Sequence, residues 1–413
     1  MSSEALRTLV LIVAIAVLSP FAADVVRRWI RIPGVVIEIA CGMLIGPHVL
    51  GWAHLDEVIE VLAEMGLVFL IFLAGFEIDP DEVKGRPVTR ALQGWLVSLG
   101  LGIVVAFGLH ALDVTQSVRY VAIALTTTAI GTLLPILGDA GVLRTDLGRN
   151  VLASGAMGEL GPIVAISVAL TTDSPGRTAV VLGVFAAVTV AVGWIATREA
   201  KPRTVLLIAR TLHSSGQLGV RICVLLCVLM VWTAAEFGLD VLLGAFAAGM
   251  VARLFLVEHT ADEALAAPHA FDHREEVQHR IEALGFGFFI PLFFVVSGVR
   301  FDLGSLADPV QLVKVPLFLA MFLLVRGTPA LLYRRELGRH EVRALALLQA
   351  SALPLLVVIT QIGVSTGEMR ADNAAGMVGA GLLSVIAFPI VAMAIHQRGG
   401  AAAPEDRPVA PVP

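Results

Sequence analysis

The sequence predicts an all-α polytopic membrane protein, and three observations predict it. The 413-residue chain is 57% hydrophobic and only 15% charged, with a mean hydropathy of +0.87. Soluble chains average about 45–50% apolar and about 25% charged, so no water-soluble core could hold this much apolar surface. The apolar residues also come in long, unalternated runs, which read as helices and not as barrel strands. Many of these runs approach the about 20 residues that a helix needs to cross a hydrocarbon layer of about 30 Å.

Taken in order, the runs predict thirteen spans: 5–26, 33–51, 58–77, 89–112, 118–138, 150–171, 178–197, 216–236, 240–257, 283–299, 308–333, 342–364 and 372–395. The first carries no Ala-x-Ala cleavage pattern and runs into a charged loop, so it reads as a retained helix and not a signal peptide. Between the ninth and tenth spans, Glu258 to Arg280 mixes Glu, His, Asp and Arg and reads as a cytoplasmic linker or surface helix. Gly399 to Pro413 is Ala/Pro-rich and reads as a disordered tail. The expected organisation is one transmembrane domain over 1–398, with a cytoplasmic tail over 399–413.

Charge sets the orientation, because Lys and Arg resist translocation. Loops after odd-numbered spans, with the adjoining span ends and the tail, hold 21 basic residues, and the opposite side, counted alike, holds 5. This places the N-terminus outside and the C-terminus in the cytoplasm of a multi-pass cell-membrane protein. A net charge of −5 with scattered basic residues gives no nucleic-acid surface. Three cysteines make no disulfide framework, and Cys223 and Cys227, four apart in an apolar run, read as small buried hydrophobes.

An ionisable group at membrane depth is a functional candidate by default. Glu159 lies well inside the sixth span, in Ser154-Gly-Ala-Met-Gly-Glu-Leu-Gly-Pro162, and Arg326 lies near the middle of the eleventh, in Phe322-Leu-Leu-Val-Arg-Gly-Thr-Pro329. The pair is expected to be charge partners. Such a carboxylate can hold a proton or a small cation, and that competition is sufficient for exchange. Glu38 and Glu64, in the second and third spans, read instead as packing hydrogen bonds. Spans five and twelve look interrupted: Ala124-Leu-Thr-Thr-Thr-Ala-Ile-Gly-Thr-Leu-Leu-Pro135 and Leu348-Gln-Ala-Ser-Ala-Leu-Pro354 each set hydroxyls and a Pro near mid-membrane. Proline removes a backbone donor and frees a carbonyl, which hydroxyls can help satisfy. Two such helices seven spans apart point to inverted repeats, about 1–172 and 216–396, joined by a linker helix at 178–197 and enclosing a midplane ion site. The interrupted-helix residues are Thr126, Gly131, Pro135, Gln349, Ser351 and Pro354. Thr127, Thr128 and Ser154 stand with Glu159 as proton- or cation-binding candidates.

Four stretches resemble one family in order and spacing. Pro33-Gly-Val-Val-Ile-Glu-Ile-Ala-Cys-Gly-Met-Leu-Ile-Gly-Pro47 is similar to the second-helix signature of the monovalent cation:proton antiporter-2 family. Leu62 to Asp79 is similar to its third-helix run, and Leu243 to Gly249 and Pro291 to Gly298 match two further stretches. The resemblance implies thirteen helices, two crossed unwound helices, a mobile core moving elevator-fashion against a dimerisation domain, and a homodimer. It also implies an ion-binding carboxylate at Glu159, a basic partner at Arg326, and a hydroxyl or backbone contribution from Thr127. The family usually carries Asp preceded by Asp, Asn or Gln where this chain has Gly158-Glu159. Within that family a single carboxylate goes with electroneutral one-for-one exchange, so the resemblance implies that stoichiometry here.

The expected function is therefore antiport of H⁺ against Na⁺ or K⁺, with no cofactor and no resident metal. Three rival readings stand beside it: an organic-solute or metabolite exporter on the same scaffold, a membrane enzyme using Glu159 and Arg326, and a passive channel. The enzyme lacks a nucleophile elbow, metal-ligand spacing or phosphate loop. The channel lacks continuous polar rings.

Overall fold

A computed structural model describes residues 3–27, 33–77, 86–143, 145–170, 175–198, 211, 216–263, 270–301 and 312–400, and among them the chain is helical with no strand. The tail at 401–413 lies outside the described residues, so the disorder expected there is untested. The first helices are α1 (Ser3–Arg27), α2 (Gly34–Ile45), α3 (Glu57–Glu77) and α4 (Arg86–Ala111). The fifth crossing is two pieces, α5 (Val118–Ala124) and α6 (Ile130–Asp139), followed by α7 (Asp146–Leu170) and α8 (Pro175–Arg198). The second half runs α9 (Leu218–Glu236), α10 (Val241–Glu263), α11 (Ala270–Leu284), α12 (Ile290–Val299), α13 (Lys314–Phe322), α14 (Arg339–Gln349), α15 (Pro354–Ser365) and α16 (Ala371–Gly400). Among the described residues ten helices are long and apolar enough to cross a membrane, and two shorter apolar ones cover Gly34–Ile45 and Val241–Phe255.

Several boundaries differ from the sequence reading for local reasons. The second helix stops at Ile45 and not near 51, because Pro47 has no N–H to continue the ladder. The loop beyond it folds back, with the Trp52 and Ala53 N–H groups both donating to Ile45 O at 3.0 Å. The charged stretch before the tenth span is partly α11, which runs through a π-helical turn (Gly285–Phe289) into α12. A second π-helical turn (Leu323–Gly327) follows α13 and leads into a 3₁₀ segment, Thr328–Tyr333. Pro329, at its start, cannot donate to Val325 O, so the helix loosens there.

The helices pack in two groups. Helices α1–α3 and α8–α12 pack chiefly with one another, and so do α4–α7 and α13–α16, with α7 touching α10 across the boundary. In the first group two crossings rest on paired glycines that bring backbone onto backbone. A Cβ on Gly42 would strike Val295 O and one on Gly298 would strike Ile39 O, which seats α2 against α12. A Cβ on Gly75 would strike Phe246 O and one on Gly249 would strike Phe72 O, which seats α3 against α10. Lipid offers no hydrophobic drive between helices, so close approach at small residues supplies the attraction.

Candidate functional site

The two interruptions meet inside the second group. Residues 125–129 and 350–353 are non-helical, and each satisfies the other's freed backbone. The Ala129 N–H donates to Ser351 O (2.8 Å), the Thr128 N–H donates to Gly158 O (3.0 Å), and the Thr128 hydroxyl donates to Gln349 O (2.8 Å). Ser384 of α16 braces the second break, accepting from the Ala352 N–H at 3.0 Å and donating to Gly381 O at 2.7 Å. Irregular backbone at membrane depth survives only where such partners exist. Pro354 is the first residue of α15, where its missing N–H goes unneeded. Pro135 falls within α6, and its side chain lies outside the described set.

Arg326 projects from the π-helical turn into this crossing and is only 2% exposed. Its Nε and Nη2 both donate to Thr128 Oγ1, at 2.9 and 2.6 Å. Nη2 also reaches Ser154 O at 3.1 Å, and Nη1 reaches Ser98 Oγ at 3.3 Å. Glu159 is buried on α7; its Oε1 accepts from the Ile130 N–H, the first residue of α6, at 3.1 Å, while Oε2 is buried without a partner. A helix start presents unsatisfied N–H groups and a partial positive charge, which suits a carboxylate.

The expected direct ion pair is absent: among the described residues, no carboxylate oxygen lies within 4.0 Å of the Arg326 guanidinium. The reason is Gly158. A Cβ there would sit 2.7 Å from Arg326 Nη2, so the bare glycine lets the guanidinium lie against α7 itself. Glu159, one residue on and about 100° around the helix, faces the α6 terminus instead. In the sequence Gly158 stood only as a departure from the acid or amide usual at that place; the structure makes it the berth of the arginine.

The remaining candidates divide. Thr128 is central, bonding both breaks and the arginine. Thr126 and Thr127 are buried and donate back to Ile123 O (2.7 Å) and Ala124 O (2.9 Å), and Ser154 donates to Val151 O (3.1 Å), so none of these hydroxyls bonds Glu159. The Gln349 Oε1 is buried without a partner. Ser351 contributes through its carbonyl, and its hydroxyl reaches Leu347 O at 3.4 Å. Gly131 opens onto space, since a Cβ there would meet nothing within 4 Å. Among the remaining acids, Glu38 accepts from Ser19 Oγ at 3.0 Å, as a packing hydrogen bond requires. Glu64 instead is exposed and borders a crevice. The sequence reading missed Ser98 and Ser384, whose roles depend on helices distant in the chain.

Two crevices flank the crossing along the boundary between the packing groups. One, of about 540 Å³, touches Glu38 and Phe294 on one wall and Gly131, Thr132 and Pro354 on the other. The second, of about 510 Å³, lies between Glu64 and Ser297 on one side and Val357 and Thr360 on the other. Among the described residues no cluster of His, Cys, Asp or Glu has the arrangement of a metal centre.

Comparison with known proteins places this architecture. The chain is 25% identical over 424 residues to Cation/H(+) antiporter 17 of Arabidopsis thaliana, covering 96% of this chain and 49% of that protein. It is 23% identical over 392 residues to a Na(+)/H(+) antiporter of Enterococcus hirae, covering 91% and 95%. It thus spans about half of the plant relative's length, and 64% of that of a Bacillus subtilis relative. The solved structure of the sodium proton antiporter MjNhaP1 from Methanocaldococcus jannaschii superposes with a TM-score of 0.65, over 96% of this chain and 98% of that one, at 15% identity, which shows a shared fold. The profile of the transmembrane sodium/hydrogen exchangers, a family of transporters and not enzymes, matches residues 13–395, and the chain belongs to that family.

Proposed function

We propose that the protein exchanges H⁺ for a monovalent cation, Na⁺ or K⁺, at Glu159. The observation that carries the reading is the buried, unpartnered Oε2 of Glu159 at the start of α6. A buried polar atom without a partner needs an occupant. A proton or a small cation supplies one, and a single carboxylate charge admits one or the other. The two loaded forms then carry the same charge, which supports electroneutral one-for-one exchange. Arg326 acts as a fixed positive charge that ties Thr128 to α7, and not as a lid over the carboxylate. Its charge offsets that of the ionised carboxylate in a low-dielectric site.

Alternating access would move α4–α7 and α13–α16 against α1–α3 and α8–α12, the elevator arrangement, with the two crevices as its opposed vestibules. Thirteen crossings in inverted repeats, 1–172 and 216–396 about a linker at 178–197, fit the packing. The α3–α10 and α2–α12 crossings are equivalent under such a repeat, and both rest on paired glycines. The positive-inside count places the N-terminus outside the cell membrane, and family resemblance favours a homodimer embedded in lipid. A cavity of about 540 Å³ falls in the range of small-molecule sites, which favours an organic solute as the second reading.

Proteoliposome exchange tests both. Wild-type protein should release protons on addition of Na⁺ or K⁺, and Glu159→Gln should not, while retaining its elution profile and thermal midpoint. Exchange that persists in Glu159→Gln ends this account. A wild type indifferent to Na⁺, K⁺ and Li⁺ shifts the reading to the organic solute.

A further inference from the structure

Resting on the exchange reading, we propose that Glu38 is a second cation-docking carboxylate, fixed on the glycine-seated group, which holds the incoming monovalent cation before it reaches Glu159. Glu38 is 8% exposed, and its Oε1 accepts one hydrogen bond, from Ser19 Oγ at 3.0 Å. Among the described residues its other oxygen, Oε2, has no hydrogen-bond partner, and no basic group forms an ion pair with the side chain. A carboxylate is an expensive way to bond one serine inside a membrane.

The side chain borders the cavity of about 540 Å³, whose walls are otherwise largely apolar, with Leu70, Phe294 and Pro354 among them. Asp24 borders the same space, and among the described residues no Lys, Arg or His does. On the opposite wall stand Gly131 and Thr132, the two residues after Ile130, whose N–H holds Glu159. One water-accessible space therefore joins an exposed acid, a buried acid on one packing group, and the doorstep of the exchange carboxylate on the other. Negative charge in low-dielectric walls concentrates cations. Because α2 is locked to α12 at Gly42 and Gly298, Glu38 would stay in place while the Glu159 group moves.

The test is cation-dependent exchange by full-length protein in proteoliposomes. Glu38→Gln should raise the KM for Na⁺ or K⁺ about tenfold and leave the maximum rate within about twofold, with partial recovery in Glu38→Asp. An unchanged KM, or a lower maximum rate at unchanged KM, overturns the proposal while leaving Glu159 exchange intact. A wild type that exchanges none of these ions removes the underlying reading instead, and the proposal with it. Should Glu38→Gln fail to fold, wild-type protein is treated with a hydrophobic carbodiimide, and its carboxylates are read by mass spectrometry. Saturating Na⁺ or K⁺ should slow modification of both Glu38 and Glu159. Protection of Glu159 alone overturns the assignment.

Discussion

At Gly42 and Gly298 two helices meet with nothing between their backbones, whereas at Thr128 three segments meet through one hydroxyl and a guanidinium. The first kind of contact is dense, apolar and unable to shift without separating the helices. The second is directional, and it encloses a buried carboxylate oxygen without a partner. Both use glycine, to opposite ends. On α2, α3, α10 and α12 the missing Cβ admits another backbone; at Gly158 it admits a charge. A transporter needs both, a frame that does not yield and a site that can change its occupant.

The contrast is broken most completely by Glu159→Gln, which should reduce proton-coupled exchange to the level of empty liposomes while leaving the thermal midpoint within a few degrees. Next comes Gly75→Leu in the frame. Its side chain would collide with the Phe246 carbonyl, and overpacking against a backbone should destabilise the fold by about 3 kcal/mol or more. The checks are yield and thermal unfolding in detergent, and a near-normal midpoint would show the frame to be softer than its contacts imply. Gly158→Ala should do the converse. The methyl displaces the guanidinium, and a shift of about 1 Å at a reacting centre can lower a rate by about a hundredfold, read here as the maximum exchange rate. Ser384→Ala is the mildest, loosening the 350–353 break by about 1 kcal/mol in thermal unfolding with exchange retained.

Much of this was legible in the chain. Long apolar runs gave the helices, and Thr126, Thr127 and Pro354 marked the interruptions, because those two hydroxyls bond carbonyls one turn back and a proline starts a helix without needing its N–H. Glu159 and Arg326 stood out because charge at membrane depth is rare. What the chain could not display was direction. Whether Arg326 meets Glu159 or passes it depends on a π-helical turn on one helix and a glycine on another, some 170 positions apart. Glu64 was misread for a related reason: a helix shows which residues share its face, and not whether that face meets protein or an open crevice. The helix end at Ile45 was missed although Pro47 announces it, since apolar residues continue past the stop.

The π-helical turn around Arg326 has a consequence of its own. Hydrogen bonds in this stretch of five residues span one position more than those of an ordinary α-helix, so the winding after Gly327 is out of phase with the winding before it. The surplus residue behaves like an added link in a chain: it tips one arginine sideways into the crossing while the helix on either side keeps its neighbours. Shortening the stretch from Leu323 to Gly327 by a single position would restore the ordinary pitch and turn that arginine away from Thr128, with every atom of the guanidinium still present.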